Sequence, residues 1–171
     1  MILRDPTYLE PNLQGLYLMQ SSIVPNPDSA EDGKKHFGVQ IIPLDEAITN
    51  YKQGRGTMYY RSLECLRDEQ FTERLGNAYQ IAKDKPYDLN PCDWIRAKFG
   101  ITCGSVHKTD EFWCSSLIAF MYVRLGFLYP SLPWTLIAPR RFSAFEQLQL
   151  NFQDCSITDE VEVDFSEPPP R

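Results

Sequence analysis

The chain has 171 residues, 43% of them hydrophobic, and its 17 basic and 23 acidic side chains give a formal net charge of −6. That length supports one hydrophobic core rather than two. Lys34-Lys35 and Arg140-Arg141 are the only adjacent cations, so the clustered positive charge that recruits nucleic-acid phosphates is missing, as is that for anionic membrane surfaces. The longest apolar run, residues 117–123, falls far short of the roughly 20 residues of a membrane span. With no charged leader before an apolar segment, the chain reads as soluble, unexported and cytoplasmic, with no integral membrane segment. One domain is expected over residues 1–165, followed by a flexible tail at 166–171 that carries three consecutive prolines.

The five cysteines, Cys65, Cys92, Cys103, Cys114 and Cys155, are odd in number, and no pair has zinc-knuckle spacing. Reduced thiols in a cytosolic setting are expected rather than a disulfide framework. Cys92 and Cys103 read as buried structural thiols. No metal site or cofactor is expected.

Residues 1–4 are strand-like and stop at Asp5-Pro6, because proline biases its neighbour away from helix. Leu16-Tyr17-Leu18-Met19-Gln20-Ser21 is a second strand whose even positions, Gln20 among them, share one face. Residues 38–42 form a third strand. Leu44, Ile48 and Tyr51 mark a short helix after Pro43. Residues 57–63 read as a fourth strand, and Phe71, Leu75, Ala78, Ile81 and Ala82 trace one stripe of a helix over about 68–83. Residues 113–125 are apolar almost all round and end at Gly126, a favourable C-terminal cap, so this helix is central and buried. A further helix is expected over 142–150 and a half-buried or edge strand over 161–165. The fold class is α+β with a small antiparallel sheet.

The chemistry-bearing segment is Thr109-Asp110-Glu111-Phe112-Trp113-Cys114-Ser115-Ser116-Leu117. With Thr109 or Asp110 as cap, Cys114 lies in the first turns of the buried helix. There, unpaired N–H groups and the positive dipole end favour a thiolate and can stabilise an oxyanion. Glu111 opposes this by repelling a thiolate, and a cysteine packed as a small hydrophobe fits the same pattern.

Phe112-Trp113-Cys114-Ser115-Ser116-Leu117-Ile118-Ala119, then Leu125-Gly126-Phe127-Leu128, then Trp134 and Ala138-Pro139 before Arg140-Arg141-Phe142, resembles the nucleophile helix and following loop of the circularly permuted, NlpC-type papain-like amidases, the YaeF/YiiX-like group. Gly38-Val39-Gln40-Ile41-Ile42-Pro43-Leu44 and Lys85-Pro86-Tyr87-Asp88 resemble the middle of the same family, and the similarity spans residues 1–142. The resemblance implies a papain-like fold in which a small antiparallel sheet or half-barrel packs on the nucleophile helix.

It also implies a base histidine in an N-terminal strand, a polar orienting residue in the next strand and a late cysteine. Cys114 takes the nucleophile position and Gln20 the orienting position, where relatives often carry glutamate; a neutral amide can still fix an imidazole tautomer. Gln20 also fits a role confined to pairing polar groups within the sheet. Met1-Ile2-Leu3-Arg4-Asp5-Pro6 resembles the end of the strand whose beginning carries the histidine, which places the expected base before Met1. His107, seven residues before Cys114 in a loop that can fold back, is the candidate substitute base. His36 reads as solvent-exposed, and Asp88 as a turn residue bonding to backbone. Trp113 and Trp134 are candidate lining for an apolar substrate groove, or else core.

The resemblance thus implies a cysteine hydrolase that cleaves a peptide-like amide or an acyl or lipid ester through an acyl-enzyme on Cys114. Two alternatives stand beside it. One is a catalytically inactive scaffold that serves as an interaction or structural module with a protein partner, as in a virion, since related proteins occur in large DNA viruses as well as bacteria. The other is a thiol acyltransferase.

Overall fold

A computed structural model describes residues 1–9, 11–24, 28–54, 57–99, 101, 105–145 and 150–164. Three strands, β1 (Ile2–Arg4), β2 (Leu16–Ser22) and β3 (Gly38–Pro43), form an antiparallel sheet in the order β1-β2-β3. Helix α1 (Leu44–Gln53) follows directly. Two short strands, β4 (Tyr59–Tyr60) and β5 (Leu63–Cys65), lead to helices α2 (Phe71–Ala82), α3 (Pro91–Phe99) and α4 (Cys114–Arg124). Two 3-10 turns, Trp134–Leu136 and Pro139–Phe142, precede β6 (Cys155–Ile157) and β7 (Val161–Glu162). β4 pairs with β7 and β5 with β6, both antiparallel. The chain is α+β with small antiparallel sheets.

Strand alternation and helix periodicity meet in one core. Leu3, Met19, Val39 and Ile41, all odd-numbered, pack with Leu75, Ala78 and Tyr79 of α2 and with Leu117, Phe120 and Met121 of α4. Each fully buried large apolar side chain among these contributes about 1.5–3 kcal/mol. The even-numbered positions of β2 and β3 point the other way. The register sets Leu18 opposite Ile42 and Gln20 opposite Gln40. α4 is buried on nearly every side because it packs on both α2 and β2. It ends where Gly126 takes φ +80°, a left-handed conformation that glycine adopts without Cβ strain.

Several expectations change. The run 57–63 divides into β4 and β5, which pair with different partners. In the expected helix 142–150, Phe142 closes a 3-10 turn, residues 143–145 are not helical, and 146–149 lie outside the described residues. The last strand covers Val161–Glu162 only, and Phe165 and the tail 166–171 also lie outside. Helix α3 was not anticipated. Its apolar residues do not mark a buried stripe, since only Asp93 and Ala97 are buried.

The cysteines need the largest correction. Cys65 and Cys155 form a disulfide, because the β5–β6 register sets them directly opposite each other with Cα atoms 4.5 Å apart, within bridging range. Their separation of 90 residues hides this in the sequence. Cys92 is exposed rather than buried, and Cys103 lies outside the described residues. Closing so long a loop restricts the unfolded chain, so reducing the bridge should cost about 2–4 kcal/mol. Urea unfolding with and without a reductant checks this, and a Cys65→Ser/Cys155→Ser variant should show the same loss with no response to reductant.

Candidate functional site

The site is built around a short extended segment, Lys85-Pro86-Tyr87-Asp88. Proline disfavours helix at the residue before it, and α2 has already ended at Ala82. The segment lies against the start of β3: Val39 N–H donates to the Lys85 carbonyl at 3.0 Å, and Tyr87 N–H to the Phe37 carbonyl at 3.3 Å. Gly38 permits this approach, since a Cβ there would lie 2.2 Å from the Lys85 oxygen. On the segment's other side, Phe112 N–H donates to the Pro86 carbonyl at 3.0 Å and Asp88 N–H to the Phe112 carbonyl at 3.2 Å. The Ser21 hydroxyl, from the core face of β2, donates to that same carbonyl at 2.5 Å.

Two residues beyond this anchor, Cys114 is the first residue of α4 and is exposed. The cap is not Thr109 or Asp110 but the extended Trp113. Its N–H donates to Ser116 Oγ at 3.0 Å, and the Ser116 hydroxyl donates back to the Trp113 carbonyl at 2.9 Å. Ser115 is tied down by its hydroxyl, which donates to the Ile137 carbonyl at 2.5 Å. A helix offers no intrahelical acceptor to its first N–H groups, so those of Cys114 and Ser115 mark the natural position for an anion beside the sulfur.

The Tyr87 phenol lies beside the Cys114 side chain. Burial raises the phenol's pKa, and its neighbours Cys114 and Asp88 raise it further. Tyr87 therefore keeps its proton across neutral pH and is available as a hydrogen-bond donor beside Cys114. Sequence reading placed Tyr87 in a family-like stretch without a role. The available signal was its position between a proline and a turn-forming aspartate, which fixes the backbone that carries it.

Behind Tyr87 lies a charged cluster. Asp88, buried, accepts Asn90 N–H at 2.8 Å, the turn role expected of it. Burial raises its pKa, as do the charges of Glu111 and Asp93, against the Asn90 bond and Lys108. Burial also pushes Asp93 upward, but Lys108 at 2.5 Å and Arg96 at 2.6 Å outweigh it and hold the carboxyl below its ordinary value. Lys108 reaches Glu111 at 3.3 Å as well, which offsets the repulsion that Glu111 would exert on a thiolate. Asp88, Asp93 and Glu111 bring one oxygen each within 4.8 Å of one another, a spacing that suits a cation. The Lys108 ammonium serves as that cation.

The other expected site residues have partners of their own. Gln20 lies on the sheet face opposite the one that packs on α4, paired with Gln40. His107 is exposed, its Nε2 3.0 Å from the Leu132 carbonyl and its ring 4.3 Å from that of Trp134. His36 Nε2 pairs with Asp32 at 3.0 Å. Trp113 is buried, with its indole N–H on the Thr135 carbonyl, and Trp134 donates to the Lys108 carbonyl and packs against Phe120. Both indoles hold the α4 region together. Cys92 sits in the first turn of α3, where its N–H is taken by Asn90 Oδ1 at 3.0 Å.

No family model, curated protein or solved structure matches the chain.

The cluster generates a pH test. A carboxyl held low, as Asp93 is, contributes stability that is fully present above its unfolded pKa and lost as pH falls through the lower folded value. Asp88, held high, has the opposite sign: its contribution is present below its ordinary value and lost as pH rises through the raised one. Lys108→Met removes Asp93's nearest cation and should cost about 2 kcal/mol at pH 7, with a smaller cost at pH 3. Urea midpoints at the two pH values measure this, and an equal loss at both would mean that Lys108 acts through its methylenes alone.

Proposed function

We propose that this chain is a thiol hydrolase of the permuted papain-like type that acts on an amide or ester carbonyl. The observation that carries the reading is an exposed cysteine at the first position of a buried helix, with the Tyr87 phenol beside it. In this reading Cys114 loses its proton to solvent, and the sulfur forms a bond to the substrate carbonyl carbon. The developing oxyanion takes hydrogen bonds from the first-turn N–H groups and from Tyr87. The C–N or C–O bond then breaks, and the leaving amine or alcohol takes a proton from water. A second water attacks the thioester, releasing the acid and restoring the thiol. An amine in place of that water makes the same intermediate an acyltransferase.

A second reading, a scaffold without catalysis, is favoured by one observation: the partners shown for His36 and His107 are Asp32 and the Leu132 carbonyl, not Cys114.

Cys92 is an internal control, since it too is exposed in the first turn of a helix. In this reading iodoacetamide at pH 7, followed by peptide mass mapping, alkylates Cys114 about tenfold faster than Cys92, the excess of a nucleophilic thiol over an ordinary exposed one. Tyr87→Phe should bring the two rates together. Gly38→Ala, which displaces the segment that carries Tyr87 while leaving its hydroxyl intact, should act in the same direction. Equal rates in the parent chain would sink the hydrolase reading and leave the scaffold.

A further inference from the structure

A hydroxyl on the core-facing row of a sheet costs free energy unless it is bonded. Ser21 stands on that row of β2, 3% exposed and opposite Val39 in the register. Its hydroxyl donates out of the sheet, to the carbonyl of Phe112, 91 residues further along the chain. Its neighbour Gln20 lies on the other face, opposite Gln40. The second strand therefore reaches the entrance to α4 through Ser21.

The register makes this bond the closing link of a ring. Ser21 faces Val39 across the β2–β3 pair, and Val39 N–H donates to the Lys85 carbonyl at 3.0 Å. The segment after Lys85 is joined to Phe112 twice, by Phe112 N–H on the Pro86 carbonyl at 3.0 Å and by Asp88 N–H on the Phe112 carbonyl at 3.2 Å. From Phe112 the 2.5 Å bond returns to Ser21. Tyr87 lies on one arc of this ring, and Cys114 follows two residues after Phe112. The carbonyl that takes the Ser21 hydroxyl belongs to the peptide plane between Phe112 and Trp113, which leads into α4. A carbonyl oxygen has two lone pairs. Held by the Asp88 N–H alone, its plane can tilt about that bond; a second donor arriving from β2 fixes it. Tilting the plane swings the start of α4, and with it the sulfur, relative to Tyr87.

We propose that Ser21 is a positioning residue, whose bond to the Phe112 carbonyl fixes the Phe112–Trp113 peptide plane and so sets Cys114 beside Tyr87 for the thiol chemistry described above. This rests on the thiol-hydrolase reading and adds to it the residue through which the sheet acts on the nucleophile.

The test is Ser21→Ala, which removes the hydroxyl and leaves the core volume nearly unchanged. Iodoacetamide labelling with peptide mapping should show Cys114 alkylation falling about fivefold relative to Cys92, the factor that corresponds to one hydrogen bond of ordinary net strength. In a Tyr87→Phe chain the same substitution should change the Cys114 rate by less than about twofold, because a positioning residue is coupled to the group it positions against. Ser29→Ala is the control: Ser29 is also 3% exposed, with its hydroxyl on the Ile41 carbonyl at 3.4 Å, and its loss should leave the ratio of Cys114 to Cys92 labelling at the parent value. If Ser21→Ala leaves that ratio unchanged, or lowers it equally with and without the Tyr87 hydroxyl, Ser21 is a core serine and the proposal is overturned while the thiol reading stands. If Ser29→Ala lowers the ratio as much, softening of the sheet accounts for the effect and the proposal also falls. If Cys114 reacts no faster than Cys92 in the parent chain, the thiol reading fails, and amide hydrogen exchange of the parent and Ser21→Ala chains decides Ser21 separately. Faster exchange confined to the Asp88 and Phe112 N–H groups retains the positioning role; unchanged exchange, or a uniform rise that includes α2, removes it.

Discussion

The carbonyl of Phe112 is the point on which the site depends. It accepts a hydroxyl from the sheet and an N–H from the Lys85–Asp88 segment, so the chain entering α4 is fixed from two directions. Each such bond is worth only about 1 kcal/mol net, but leaving a buried carbonyl unpaired costs more. The arrangement therefore acts as a unit. Tyr87 and Cys114 sit on the two backbones that Phe112 joins, and their mutual position follows from this pairing rather than from any direct packing between their side chains.

This clarifies what distinguishes one cysteine from another. Cys92 and Cys114 both lie in the first turn of a helix and both are exposed. Asn90 occupies the Cys92 N–H, and the neighbouring Asp93 carboxyl takes up Lys108 and Arg96. At Cys114 the adjacent donor is Tyr87, and the nearest carboxylate in sequence, Glu111, is paired with Lys108. Charge compensation around the site is thus carried by one lysine that serves two acids.

Much of the scaffold was legible because its periodicities are strong. β2 and β3 alternate, α2 carries a stripe at helical spacing, and α4 is apolar all round with a glycine at its end. The span of α4 was legible to within a residue, but its cap was not, because Trp113 and Ser116 close the first turn from within rather than Thr109 or Asp110 before it. Parity put Gln20 on one face of β2, but no local pattern says which face will meet a helix far along the chain. The Cys65–Cys155 bridge depends on pairing strands from opposite ends of the sequence. Tyr87 escaped notice because its role depends on two contacts, with β3 and with Phe112, that neither periodicity nor composition encodes.

Helix α3 shows how the charged cluster bears on the placement of an element. A helix normally docks by burying an apolar stripe, but the buried residues of α3 are Asp93 and Ala97, and Lys108 ties Asp93 to the chain ahead of α4. Buried ion pairs add little net stability once desolvation is counted, though they fix geometry. The large apolar side chains of α3, Trp94, Ile95 and Phe99, face outward. The tie to Asp93 is made by the same Lys108 that neutralises Glu111 ahead of Cys114. The electrostatics that steady the thiol's surroundings and the attachment of α3 are consequences of one side chain.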